Sequence, residues 1–128
     1  MNRLAYILPF LMFVACGSNR ILKPEDMLCG KWRAIQVKTV LRSGRMYEYH
    51  YIWEFTFKVD GTYTLQINAK ETGQNTWWES GEFSVSKGKI FFFVTDCPDR
   101  NFVGGSYALS YEVTGDFLVL GGRVFRKV

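Results

Sequence analysis

The sequence predicts an all-β protein, eight antiparallel strands closed into an up-and-down barrel. Three observations predict it. From residue 30 onward, apolar and polar side chains alternate with period two in short runs. Tight-turn signals, most of them containing glycine, separate those runs, and no ten-residue stretch carries a helical repeat. The composition agrees, because 17% aromatics and 12 Gly against 3 Pro suit strands joined by tight turns. A chain of 128 residues, 48% hydrophobic and 22% charged, is one globular domain in size, which excludes a multidomain enzyme and extensive disorder.

Each element has its own justification. Lys23–Leu28 has room for one short helical turn. Lys31–Arg42 is the first strand and ends at Ser43-Gly44-Arg45. Met46–Lys58 is the clearest strand: Tyr47, Tyr49, Tyr51, Trp53, Phe55 and Phe57 line one face, and polar residues such as Glu48, His50 and Glu54 line the other. Its thirteen residues would reach roughly 44 Å, so strong coiling or a bulge is expected. Asp60-Gly61 turns the chain into Thr62–Lys70, with Tyr63, Leu65, Ile67 and Ala69 on one face. Thr76–Ser86 follows, with Trp77, Phe83 and Val85 aligned, and Lys87-Gly88 leads to Lys89–Thr95. After one long connection, Asp96–Gly104, come Gly105–Val113 with Tyr107, Leu109, Tyr111 and Val113 aligned, then Phe117–Leu120. Gly121-Gly122 is a two-residue hairpin signal before Arg123–Val128. Short loops make sequential strands antiparallel neighbours, and closure removes the two exposed edges of such a sheet.

The N-terminus carries a different signal. Arg3 precedes Leu4–Ala15, a twelve-residue uncharged apolar run that is too short to span a bilayer, which takes about 20 residues, and fits the core of a signal peptide. It ends in Phe13-Val14-Ala15-Cys16, which resembles the lipobox of bacterial lipoproteins, with Phe13 where that motif usually has Leu. The resemblance implies a leader over residues 1–15, lipid on Cys16, a tether over 16–28 and a barrel over 29–128. Two or more acyl chains anchor a protein stably. The expected location is therefore the bacterial cell envelope, lipid-anchored, with the outer membrane as the expected surface. Cys29 and Cys97 are then left as an even pair in an oxidising compartment, so either a disulfide between them or two buried thiols is expected.

A second resemblance rests on Gly30-Lys31-Trp32, Phe55-Thr56-Phe57 before Asp60-Gly61-Thr62-Tyr63, and Gly81-Glu82-Phe83-Ser84-Val85 leading through Lys87-Gly88 to Ile90. In this order and spacing they resemble the small lipocalin-like domains of bacterial lipoproteins, over about residues 28–128. The resemblance implies that Trp32 packs at the closed end of the barrel against a C-terminal arginine, Arg126, with Arg123 as rival. The chain is shorter than the secreted lipocalins and lacks their C-terminal helix, which implies a smaller pocket.

For function, catalytic signals are few. His50 is the one histidine, on the polar side of its strand with Glu48; no phosphate loop, dinucleotide fingerprint or zinc pattern is present, and no enzymatic activity, metal or cofactor is expected. A formal charge of +4 spread without a basic cluster argues against nucleic acid. The expectation is a monomer that binds a small hydrophobic or amphipathic ligand in the barrel, through Tyr47, Tyr49, Tyr51, Trp53, Phe55, Tyr63, Leu65, Trp77 and Tyr107. The alternative is a filled barrel acting as a protein-interaction module, a hydrolase inhibitor or an accessory subunit of an envelope complex, with an outward Trp78 as its anchor.

Overall fold

The computed structural model of the protein describes residues 24–128. The expected leader, Cys16 and most of the tether lie outside the described residues. The rest follows one helical turn and eight strands: α1 (Pro24–Leu28), β1 (Gly30–Arg42), β2 (Arg45–Phe57), β3 (Thr62–Ala69), β4 (Asn75–Ser86), β5 (Lys89–Asp96), β6 (Ser106–Thr114), β7 (Phe117–Leu120) and β8 (Arg123–Lys127). Each strand pairs with the next, and β1 pairs antiparallel with β8 through Trp32↔Lys127 and Arg33↔Arg126, which closes the barrel. Eight-stranded up-and-down closure is thus the observed architecture.

Turn chemistry sets the registers. Ser43 and Gly44 both have positive φ (49° and 78°), the two-residue geometry that matches strand twist, and they register β1 on β2 from Gly30↔Phe57 to Arg42↔Arg45. Between β2 and β3, Asp60 Oδ1 accepts from Thr62 N at 3.0 Å and from Thr62 Oγ1 at 2.6 Å. These bonds to Thr62 hold the Asp60 carboxyl below its ordinary range. The long β2 differs from expectation: its ladder with β1 has no bulge. Instead β3 pairs only as far as Tyr51 and β8 only as far as Arg33, so the hairpin tip, about residues 38–49, stands clear of both neighbours. The register shifts fall elsewhere: Thr76 of β4 is the extra residue between Ile67↔Trp77 and Asn68↔Asn75, and Thr95 of β5 is the extra residue between Ser80↔Asp96 and Gly81↔Val94.

The core fills one end. Phe55 and Phe57 stack with ring centroids 5.4 Å apart, Phe57 meets Phe83 edge-on at 4.9 Å, and Phe92 is edge-on to Tyr63 at 4.9 Å and stacked on Tyr107 at 4.8 Å. Such pairs contribute about 0.5–1.5 kcal/mol each beyond the area they bury. Gly81 admits this packing. A Cβ there would lie 1.9 Å from Phe93 O and 3.1 Å from Tyr63 Cε1, so only glycine lets β4 and β5 approach while the Tyr63 ring lies across the gap.

Trp32 is fully buried at the closed end, where its Nε1 donates to Leu28 O at 2.8 Å, so the indole is what holds α1 under the barrel. Two expectations are corrected here. The cation over Trp32 is Lys127, not Arg126: Lys127 Nζ lies 4.8 Å from the ring centroid and donates to Cys29 O at 2.8 Å. Alternation explains the exchange. On β8 the inward row is Arg123, Phe125 and Lys127, while Arg126 faces out and covers the Phe117 ring at 5.1 Å. The second correction is the disulfide. Cys97 is a free, buried thiol whose Sγ donates to Asp99 O at 3.1 Å, so the Cys29–Cys97 bridge is not made.

Candidate functional site

Antiparallel connectivity places the tips of the β1–β2, β3–β4, β5–β6 and β7–β8 connections at the end opposite Trp32, and the lumen residues near that end are the accessible ones. The structure divides the nine residues expected to touch a ligand. Phe55, Tyr63 and Leu65 are at most 4% exposed and belong to the closed-end core. Trp53, Trp77 and Tyr107 are half-buried and pack on that core from above. Tyr49 and Tyr51 are half-buried higher on β2, and Tyr47 is 40% exposed on the hairpin tip. The register explains the gradient: Trp53 is opposite Ala34 and Ile67, and Ile67 is opposite Trp77, one row above the row of Trp32, Phe55, Leu65 and Glu79.

Glu79 is the unforeseen member of this group. It is 4% exposed, on the inward row of β4. Its Oε2 accepts from Tyr63 Oη at 2.5 Å and Tyr107 Oη at 2.6 Å, and its Oε1 accepts from Trp77 Nε1 at 2.8 Å. Burial, then the hydrogen bond to Glu79 and its negative charge, push both tyrosine hydroxyls well above the ordinary phenol range. Both therefore keep their protons and donate, as the indole must. Among the described residues no cation pairs with Glu79. Three neutral donors thus hold a buried carboxylate between strands β3, β4 and β6. Its sequence signal is a carboxylate at the second position after Trp77, within a row otherwise aromatic or small.

The opposite wall carries a second polar group. Arg123 is inward on β8, level in register with Leu120. Its guanidinium lies over the Trp53 ring, 4.4 Å from the centroid. Trp53 Nε1 in turn donates to Gln36 Oε1 at 2.8 Å, which fixes the indole. From the long connection, Phe102 adds a half-buried ring, 6.2 Å from Trp77 and 6.1 Å from Tyr107. Backbone bonds Phe102 N to Asp99 O (3.0 Å) and Gly105 N to Phe102 O (3.0 Å) hold that ring in position.

The outer surface is different in kind. His50 Nδ1 lies 2.7 Å from Glu71 Oε2, and His50 Nε2 lies 3.6 Å from Glu48 Oε1, on the polar face of the sheet. The contact with His50 holds the Glu71 carboxyl below its ordinary range. Among the described residues no group of three or more His, Cys, Asp or Glu is placed to hold a metal ion. Trp78 is 38% exposed, as alternation with Trp77 requires, but it is paired with Gln66 and flanked along its strand by Thr76 and Ser80.

No protein-family model matches the chain, and no curated protein matches it significantly. Solved structures do. A lipocalin-like protein from Bacteroides uniformis ATCC 8492 is 21% identical, with a TM-score of 0.51 over 80% of this chain and 99% of that one. Rv2717c from M. tuberculosis is 24% identical, with a TM-score of 0.43 over 78% of this chain and 64% of that one. At such identity the first likeness establishes the fold, a lipocalin-like closed barrel, and nothing finer.

Proposed function

We propose that this protein is a binding module that takes up a small amphipathic ligand through the open end of its barrel. The observation that carries the reading is the half-buried aromatic belt of Tyr51, Trp53, Trp77, Phe102 and Tyr107, seated on a sealed core and interrupted by a few fixed polar groups. Concave apolar walls with a small number of convergent polar groups are how small-ligand sites are built. The lipocalin-like fold supports the same reading. The polar groups serve orientation, and the only histidine, on the outer face, gives the lumen no acid–base partner, so the reading is of a binder rather than an enzyme. The rival reading as a protein-interaction module draws on Trp78, whose neighbours in register and along the strand are polar. Lipid on Cys16 would tether the barrel to a membrane of the cell envelope, within reach of lipidic ligands.

The test is a titration with phenylnaphthylamine, a neutral apolar fluorophore. Saturable one-to-one enhancement of its emission, with matching loss of tryptophan emission through energy transfer, is the expected result. Trp77→Ala is expected to weaken uptake about tenfold, as loss of one ring from the belt implies. Emission that never saturates, or that matches a protein lacking the belt, would sink the proposal.

A further inference from the structure

We infer that the ligand carries an anionic head group, a carboxylate or a phosphate, and that Arg123 recognises it. The inference rests on the ligand-binding reading above and specifies the ligand's polar end.

Two independent observations lead there. The first is how Arg123 is held. It faces the lumen and is half-buried, with its guanidinium over Trp53, itself oriented by Gln36. A cation over an indole is held by the ring's π cloud and takes up no hydrogen-bond acceptor. The N–H donors are thus left for a carboxylate or phosphate, which a guanidinium binds in a fork. Among the described residues Arg123 has no acidic partner and no hydrogen-bond acceptor. The side chain is therefore oriented in advance while its donors stay uncommitted.

The second observation is how charge is distributed on the β1–β2 hairpin. The charged residues in step with the lumen row are Lys38, Arg42 and Arg45; Arg42 covers the Tyr49 ring at 5.7 Å and is opposite Arg45 in register. No acidic residue shares that face. The hairpin's carboxylates, Glu48 and Glu54, are on the other one, where Glu54 lies 2.8 Å from Arg33 and 3.8 Å from Lys31. The hairpin's side of the approach thus carries one sign of charge, which attracts the other. Glu79, one row deeper than Trp53, completes the selection. Its oxygens already hold three donors, and its charge repels an anion from the closed half. The head group is thereby kept at the level of Arg123, with the apolar part of the ligand against Trp53, Trp77 and Tyr107.

The experiment is displacement of bound phenylnaphthylamine from the full chain by decanoate, decyl phosphate and decanol, which share one alkyl chain. The readout is the ratio of the alcohol's Kd to each anion's Kd, taken within each variant. The wild type is expected to prefer one or both anions by at least about tenfold at low salt, and whichever is preferred identifies the head group. R123Q is expected to bring the ratio near one, and R123K to give an intermediate value, since ammonium keeps the charge without the fork. A ratio near one in the wild type overturns the inference and leaves the ligand-binding reading standing. A large ratio that R123Q leaves intact overturns the role of Arg123. Should R123Q fail to fold, the wild-type ratio and R123K decide. A wild type that takes up none of the four compounds overturns the ligand-binding reading and this inference together.

Discussion

Gly81→Ala tests how the site is built. The backbone at Gly81 is not in the left-handed region, so the substitution isolates a steric effect. The new Cβ would lie 1.9 Å from Phe93 O. A close C···O approach between strands is about 3.3 Å, so β4 and β5 must part by about 1.4 Å. One or two ladder hydrogen bonds at this bulge are then lost, at about 1 kcal/mol each. The same Cβ would crowd Tyr63 Cε1 at 3.1 Å and swing the ring whose hydroxyl donates to Glu79, weakening a charge-assisted bond that contributes about 1.5–3 kcal/mol. The expected loss is about 3–5 kcal/mol, at least about 12 °C in Tm for a domain of this size. Urea and thermal unfolding followed by tryptophan fluorescence measure it. Gly44→Ala and Gly73→Ala are the controls: both have positive φ and nothing within 4 Å of the new Cβ, so each should cost only about 1–2 kcal/mol of backbone strain. If Gly81→Ala unfolds no more easily than these two, the account of how β4 positions Tyr63 and Glu79 is wrong.

Three further outcomes are expected. Burial and Glu79 raise the Tyr63 and Tyr107 hydroxyls, so above about pH 10 the unfolded chain releases protons that the fold retains; their stability contribution is complete below that pH and declines as pH rises. In a phenolate absorbance titration, two of the chain's seven tyrosines should ionise only as the barrel unfolds, and ionisation of all seven before unfolding would contradict this. Lys127→Met should cost about 1–2 kcal/mol, because it removes the bond to Cys29 O and the cation over Trp32, whereas Arg126→Met should cost about 0.5 kcal/mol or less; equal losses in chemical denaturation would restore Arg126 to the closing role. Cys16→Ala should move the protein from the membrane pellet to the soluble fraction, and its retention in the pellet would exclude lipid anchoring at that residue.

The electrostatic layout bears on how the binder would work. Donors aimed at Glu79 and an indole under Arg123 hold opposite charges on opposite walls of the lumen, without an ion pair between them among the described residues. Each group is fixed by its own neighbours, so a ligand of the proposed kind would meet oriented partners and lose little ordering entropy on binding.

Much of the barrel was legible in the residue order. Strand number, strand order and the inward row of β2 follow from period-two alternation and short glycine turns, which are local properties that a single strand or hairpin carries within itself. The short turn at Pro24–Leu28 was legible for the same reason. What could not be read is which inward residue meets which across the lumen. Lys127 rather than Arg126 covers Trp32 because strand closure fixes which β8 residues face in. Cys97 stays a thiol because chain folding, not the number of cysteines, determines which sulfurs approach. Glu79 and Arg123 came to face one lumen only when β3, β4 and β6 on one side, and β8, β1 and β2 on the other, were brought around a common axis. Alternation says which face a side chain takes. Closure of the sheet, a contact between residues nearly a hundred positions apart, decides what it finds there.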